Sequence, residues 1–321
     1  MKMFSIIIPC YNAFKLMSKN LNNLENQTSK DFEVIIVDDC STDNSYQELL
    51  DYSKKSKMDI KIIKNERNLG PGETRNNGIR KAEGEYIFFI DSDDYIEIDT
   101  IEELSNIVKK EKADCIFFDY YIDKAKMVTK RNVLDNINED FCKSDALIYS
   151  SGTTLGKVYK LKNIKENNIK FLDLKRNEDM PFNKVAIAYS NSFFYLRKNL
   201  YHYVMNNNSL MHRNELLDEN NAIKAFKYVK ERIGEKFPYE TEAIFIKEYL
   251  YGTITTVTQK KMSNKELKKY IIKTSKLYEN WYRNKSIYRQ PIHVRICLKL
   301  IKHKNIFLLK LLMKIRKIFV R

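Results

Sequence analysis

Five short runs of β-branched and aromatic residues, at 4–9, 32–38, 59–64, 85–90 and 114–119, recur through the first 120 residues of this 321-residue chain. Between them the apolar residues follow a helical period, near 14–26, 42–56, 71–82 and 99–111. Strands this continuously apolar are buried on both faces, and each intervening helix is long enough to cross back to a parallel neighbour. The alternation therefore dictates an α/β fold on a mostly parallel sheet. In such sheets a ligand sits beyond the carboxyl ends of the strands, at the point where the strand order reverses. The polar residues gather there: Tyr11-Asn12 after the first run, Asp38-Asp39 at the end of the second and Asp91-Ser92-Asp93-Asp94 after the fourth.

Carboxylates a few Å apart raise one another's pKa, so an acidic cluster at the tip of a buried strand calls for a cation. Phosphate-handling sites meet that need with Mg²⁺ or Mn²⁺ on one or two carboxylates, the substrate phosphates completing the shell. Half of the eight glycines fall just upstream, at Gly70, Gly72, Gly78 and Gly84. They do not form a dinucleotide fingerprint: G-x-G-x-x-G from Gly70 requires glycine where Arg75 stands, which argues against a dehydrogenase.

The net charge of +15 is concentrated at one end. From Lys260 to Arg321 there are 19 Lys or Arg against two acids, Glu266 and Glu279. Such a segment suits an anionic surface, membrane or nucleic acid. A nucleic-acid-binding protein would leave the acidic cluster without a purpose, so no nucleic acid is expected as partner. After about residue 214 the pattern is helical, near 215–233, 239–258, 263–282 and 292–320, giving a first domain over 1–213 and a basic helical region over 214–321 that serves as a membrane-surface or acceptor-binding element. Lysines interrupt the last apolar stretch, which reads as a helix lying in the headgroup plane and not as a span. The apolar run at the N-terminus is too short for a signal peptide. Five scattered cysteines without C-x-x-C spacing read as reduced thiols of a cytosolic protein, neither a disulfide framework nor a zinc site.

Four motifs occur in order, each at a strand end: Ser5-Ile6-Ile7-Ile8-Pro9-Cys10-Tyr11-Asn12, Val37-Asp38-Asp39-Cys40-Ser41-Thr42-Asp43, Asn68-Leu69-Gly70-Pro71-Gly72-Glu73-Thr74-Arg75-Asn76-Asn77-Gly78 and Asp91-Ser92-Asp93-Asp94. Together they resemble the bacterial family 2 glycosyltransferases over roughly the first 100 residues. The likeness continues less sharply through residues 156–160, Glu178-Asp179 and the segment from Tyr203 to Ser209. The resemblance implies the GT-A fold, a Rossmann-like, mostly parallel sheet flanked by helices, here with a helical C-terminal extension. It implies inverting transfer of a hexosyl or N-acetylhexosaminyl group from a nucleotide-diphosphate donor, expected to be a UDP-sugar. The acceptor would be a hydroxyl of a cell-surface glycan or lipid-linked precursor, as in capsule or other envelope polysaccharide biosynthesis. The setting would be cytoplasmic, peripheral on the inner face of the membrane.

Residue by residue, the resemblance places Pro9, Tyr11 and Asn12 at the nucleobase, and Asp39 on the uracil N3–H. Asn68 and Arg75 would meet diphosphate or ribose oxygens. Asp91 would face the ribose side, Ser92 would be a further substrate-binding residue, and Asp93 would reach the Mn²⁺ or Mg²⁺. Asp179 would be the catalytic base, with Glu178 beside it. His202 and Lys157 stay outside the expected site. A sugar nucleotidyltransferase on a similar sheet is the rival enzyme, but it needs a glycine-rich, lysine-bearing loop after the first strand, and Tyr11-Asn12-Ala13-Phe14 lacks one.

Overall fold

The computed structural model describes residues 2–124, 127–134, 141–174, 177–205, 219–252, 254 and 263–319. The chain divides into two compact units, Met1–Ser209 and Leu210–Arg321. The boundary expected between 213 and 214 lies outside the described residues.

In the first unit, β1 (Phe4–Cys10), β2 (Phe32–Asp38), β3 (Ile60–Lys64) and β4 (Tyr86–Phe89) stand in the order β3-β2-β1-β4, all parallel. β2 is buried along its whole length, as its unbroken apolar run requires. The connecting helices are α1 (Ser18–Glu25), α2 (Ser45–Lys55) and α3 (Gly70–Lys81). α3 lies so close to β1 that a methyl at Gly78 would overlap Ile7 Cγ2. The chain moves outward from β1 to β2 and β3, then returns to β4 on the other side of β1. The switch point therefore lies between β1 and β4, where a crevice opens beyond the strand ends.

Past β4 the sheet becomes mixed. β5 (Tyr95–Ile96), β6 (Cys115–Lys124), β8 (Lys157–Lys160) and β9 (Phe193–Val204) extend it in the order β4-β8-β6-β9-β5, and β7 (Met127–Arg131) forms a hairpin with β6. β8 runs antiparallel to both β4 and β6, whereas β9 runs parallel to β6. The sequence reading missed β5, which is two residues long and follows directly on the acidic cluster. It also missed β7 and the outer half of β6: Tyr120–Asp123 are only half-buried, and their partner Met127–Arg131 is short and mostly exposed. Helices α4 (Thr100–Glu111), α5 (Lys143–Tyr149), α6 (Leu161–Glu166) and α7 (Asp179–Tyr189) complete the unit.

The second unit comprises α8 (Glu219–Ile233), α9 (Pro238–Ile244) continued by a wider turn over Phe245–Tyr251, α10 (Asn264–Ser275), α11 (Ile292–Lys302) and α12 (Ile306–Phe319). Phe226, Phe245, Tyr249, Trp281, Leu298 and Leu309 share its core. The helix expected over 263–282 stops at Ser275, and the one over 292–320 is broken in two. Lys304 takes a left-handed conformation (φ 53°), and the Asn305 side chain then accepts the Leu308 N–H at 3.1 Å, ending one helix and capping the next. Residues 215–218, 253, 255–258 and 320 of the expected helices lie outside the described residues. Among those described, no helix is long and apolar enough to cross a membrane.

Candidate active site

The loops after β1 and β2 are laced together. Asn12, in a left-handed conformation (φ 50°), donates its N–H to Ser41 Oγ at 2.9 Å and accepts the Thr42 N–H on Oδ1 at 2.8 Å. Its side-chain amide is thus engaged by its own chain, while the neighbouring Tyr11 ring is 46% exposed at the crevice. Pro9 sits within β1, in register with Val37. Asp39, buried just past β2, accepts Asn65 Nδ2 and the Leu69 N–H on Oδ1, and the Gly70 N–H on Oδ2, all at 2.8 Å. A carboxylate has about four acceptor positions, so one remains. Asp39 thereby caps the start of α3 from across the sheet. Asn68 is exposed on the same turn, and it is Asn65 that is buried, donating also to Thr74 Oγ1 at 3.1 Å.

Arg75, projecting from the first turns of α3, is 4% exposed and surrounded by carboxylates. Its Nη2 donates to Asp91 Oδ1 at 2.7 Å, and its Nη1 to Glu178 Oε1 at 2.9 Å, with Asp179 Oδ1 3.3 Å away. The contacts that Arg75 makes within the chain are with the protein's own acids, one hydrogen bond from each terminal nitrogen, and not those expected with diphosphate or ribose oxygens. Gly72 makes this possible. A Cβ there would come within 2.8 Å of the Leu172 carbonyl and 3.3 Å of Glu178 Cγ.

Asp91 is fixed through its backbone as well. Its N–H donates to the Tyr201 hydroxyl at 3.2 Å, and its carbonyl accepts Asn20 Nδ2 at 3.2 Å. Asp94, fully enclosed, accepts the Tyr201 hydroxyl at 2.6 Å and the Val204 N–H at 2.8 Å. Burial, reinforced by the charges of Asp91 and Asp93, pushes its carboxyl well above the usual range. Ser92 and Asp93 sit half-buried at the tip. Asp179 opens α7 with 24% of its side chain exposed. Burial pushes its carboxyl up to about 7; Arg75 opposes the rise, and Glu178 and Asp91 add to it.

The motif residues and the Glu178-Asp179 pair come from five chain segments, and three partners escaped the sequence reading. Asn65 follows β3 as Asp39 follows β2, so the strand-end rule could have found it. Tyr201 and Asn20 act through long-range contacts that leave no local signature. His202 has partners of its own: it stacks between Tyr95 and Tyr121, with Asp123 at Nδ1 (3.1 Å) and Glu97 at Nε2 (2.8 Å).

For a metal, the described residues offer no cage of three or more His, Cys, Asp or Glu side chains. Asp91 is tied to Arg75 and Asp94 to Tyr201 and Val204. Asp93 stands half-buried beside them and offers a further hard oxygen donor at the tip. That donor set fits a Mg²⁺ or Mn²⁺ whose remaining ligands come from substrate phosphates.

Comparison with known proteins places this arrangement. Poly(ribitol-phosphate) beta-N-acetylglucosaminyltransferase TarS of Staphylococcus aureus is 33% identical over 212 residues, which are 63% of this chain and 35% of that protein. Poly(ribitol-phosphate) beta-glucosyltransferase of Bacillus spizizenii is 35% identical over 208 residues, 60% of this chain and 32% of its own length. The chain spans about a third of the length of these curated relatives. The crystal structure of S. aureus TarS 1-349 in complex with UDP superimposes with a TM-score of 0.65 at 24% identity, covering 99% of this chain and 91% of that one, and shares its fold. The model of the family described as Glycosyl transferase family 2 matches residues 5–202, from the first residues of β1 to the imidazole of β9. The chain is a member of glycosyl transferase family 2.

Proposed function

We propose that this protein transfers a hexosyl or N-acetylhexosaminyl group from a UDP-sugar, with inversion, to a hydroxyl of a cell-envelope glycopolymer. One observation carries the reading. A single buried guanidinium ties Asp91, at the tip of β4, to the Glu178-Asp179 pair at the head of α7, so donor-side and acceptor-side carboxylates are held in one rigid unit. Direct displacement needs that pairing: a leaving diphosphate on one side, and a base within reach of the incoming hydroxyl on the other. The uracil would stack at Tyr11, its N3–H taken by the remaining acceptor position of Asp39. Pro9, Asn12 and Asn68 shape the rim, and Asp91 and Ser92 meet the ribose. Asp93 would hold Mn²⁺ or Mg²⁺, which supplies Lewis-acid stabilisation of the charge growing on the departing diphosphate. Asp179 takes the proton of the acceptor hydroxyl, and Arg75 keeps it aimed.

Melting the protein with Mn²⁺ and a panel of nucleotide sugars tests this. UDP-GlcNAc or UDP-glucose at 100 times its Kd should stabilise by about 2.7 kcal/mol, with UDP released once poly(ribitol phosphate) is added. No shift with any UDP-sugar rejects the reading.

The second unit supports a further element of the function, docking on the inner face of the membrane. α12 is apolar on opposite sides: Ile306, Leu309 and Met313 face the core, while Phe307, Leu308, Leu311 and Ile315 are exposed, with Lys310 and Lys314 between the two stripes. The excess of 19 basic residues over two acids in this region opposes self-association and favours anionic lipid. On vesicles of phosphatidylglycerol and phosphatidylcholine, Phe307→Ser with Leu311→Ser should weaken binding by about 10-fold or more, since each buried apolar side chain contributes about 1.5–3 kcal/mol. Unchanged co-sedimentation removes the membrane from the function.

A further inference from the structure

Asn65, directly after β3, is buried, and both polar atoms of its side chain are paired within the chain. Its Nδ2 donates to Asp39 Oδ1 at 2.8 Å and to Thr74 Oγ1 at 3.1 Å, and its Oδ1 accepts Asn77 Nδ2 at 2.6 Å. The direction of this relay is set from the outer face of α3. Arg80 can only donate, and its Nη2 donates to Asn77 Oδ1. Asn77 therefore turns its Nδ2 toward Asn65, and Asn65 turns its own toward Asp39. The backbone keeps the same alignment. The Asn65 N–H donates to the Asp38 carbonyl at 2.8 Å, and the chain leaves Asp39 through Cys40 in a left-handed conformation (φ 58°).

These bonds leave Asp39 one way to read a ligand. Asn65 Nδ2 and the Leu69 N–H fill both acceptor positions of Oδ1, and the Gly70 N–H takes one of the two on Oδ2. Two of the three donors are backbone amides; Asn65 supplies the one side chain. We infer that Asn65 is a positioning residue that sets nucleobase selectivity, uracil over cytosine, by filling Oδ1 and fixing the plane of the Asp39 carboxylate. This rests on Asp39 being the group that takes the uracil N3–H. Uracil presents a donor at N3, whereas cytosine presents a lone pair there with an amino donor beside it. A carboxylate free to turn, with an open position on each oxygen, could take that amino group instead. Held as it is, its single open position meets the cytosine lone pair, and two acceptors facing each other out of water are costly.

Calorimetric titration of the full chain with UDP and with CDP, both in the presence of Mn²⁺, tests this. The wild-type protein should bind UDP about 30-fold more tightly than CDP, the worth of one hydrogen bond to a charged group. In Asn65→Leu, which keeps the volume, that ratio should fall about tenfold, UDP binding weakening while CDP binding holds or improves. A merely structural role would weaken both nucleotides alike and leave the ratio where it was. Asn77→Asp gives a second reading should Asn65→Leu fail to fold. It is isosteric, lies half-buried on α3, and sets a second carboxylate competing for the Asn65 amide. The ratio should then fall about threefold, the added charge acting equally on both nucleotides. A wild-type ratio in either folded variant overturns the inference. Equal binding of UDP and CDP by the wild-type protein would instead take the nucleobase away from Asp39, and failure to bind either would overturn the assigned activity.

Discussion

Asp179→Asn should lower sugar transfer by about 10²- to 10⁴-fold, the span that a positioned general base contributes, while leaving UDP binding within about twofold. The amide keeps the shape of the carboxylate at the head of α7 but cannot take a proton from the acceptor hydroxyl. A pH profile sharpens the test. Burial raises the Asp179 carboxyl to about 7. Below that pH the group is protonated and cannot act as a base, so kcat/KM should rise about tenfold per pH unit on the acid side and level off above it. The Asn variant should lose this limb. A wild-type limb near pH 4, or full activity in Asp179→Asn, would take the role away from this residue.

The strand ends were readable because their determinants are local. β1, β2 and β4 are each a short apolar run followed at once by polar residues, and a run of that kind can only be a buried strand with its ligand-facing end marked. Asp39 accordingly follows β2, and Asp91 and Asp93 follow β4. What their side chains do was less accessible. Asp39 and Asn12 were expected to face a ligand, and much of their hydrogen-bonding capacity goes instead to the loops beside them. Arg75 was expected to face phosphate, yet its partners are an acid 16 residues away and a pair more than 100 residues away. No periodicity records such a meeting; it depends on Gly72 admitting Glu178 against the helix. The same holds for the split between α11 and α12. Asn305 is a plausible cap by itself, but the apolar pattern runs through it, and the left-handed Lys304 has no sequence signature.

Arg75→Met should be the most damaging single change to stability. Removing one member of a buried ionic cluster typically costs about 3–5 kcal/mol, because the remaining charges lose their partner while staying out of water. Here three carboxylates are left facing one another, Asp91 and Glu178 having been 2.7 and 2.9 Å from the guanidinium. For a chain of this size the loss should lower Tm by roughly 6 °C or more. The deficit should depend on pH in a definite direction. Without Arg75 the carboxylates of the folded state have pKa values raised above those of the unfolded chain, so folding is least penalised below about pH 4, where the acids are protonated in both states, and the gap to wild type widens as pH rises. Arg75→Lys should recover only part of the loss, since a single ammonium lacks the planar fork that serves Asp91 and Glu178 together. Neutralising the cluster separates stability from chemistry. Arg75→Met combined with Asp91→Asn and Glu178→Gln should regain most of the Tm and none of the transfer, because the base is then no longer aimed. A Tm for Arg75→Met within 2 °C of wild type would mean that the three acids find other partners, and that the rigid link between donor and acceptor carboxylates is not what the guanidinium provides.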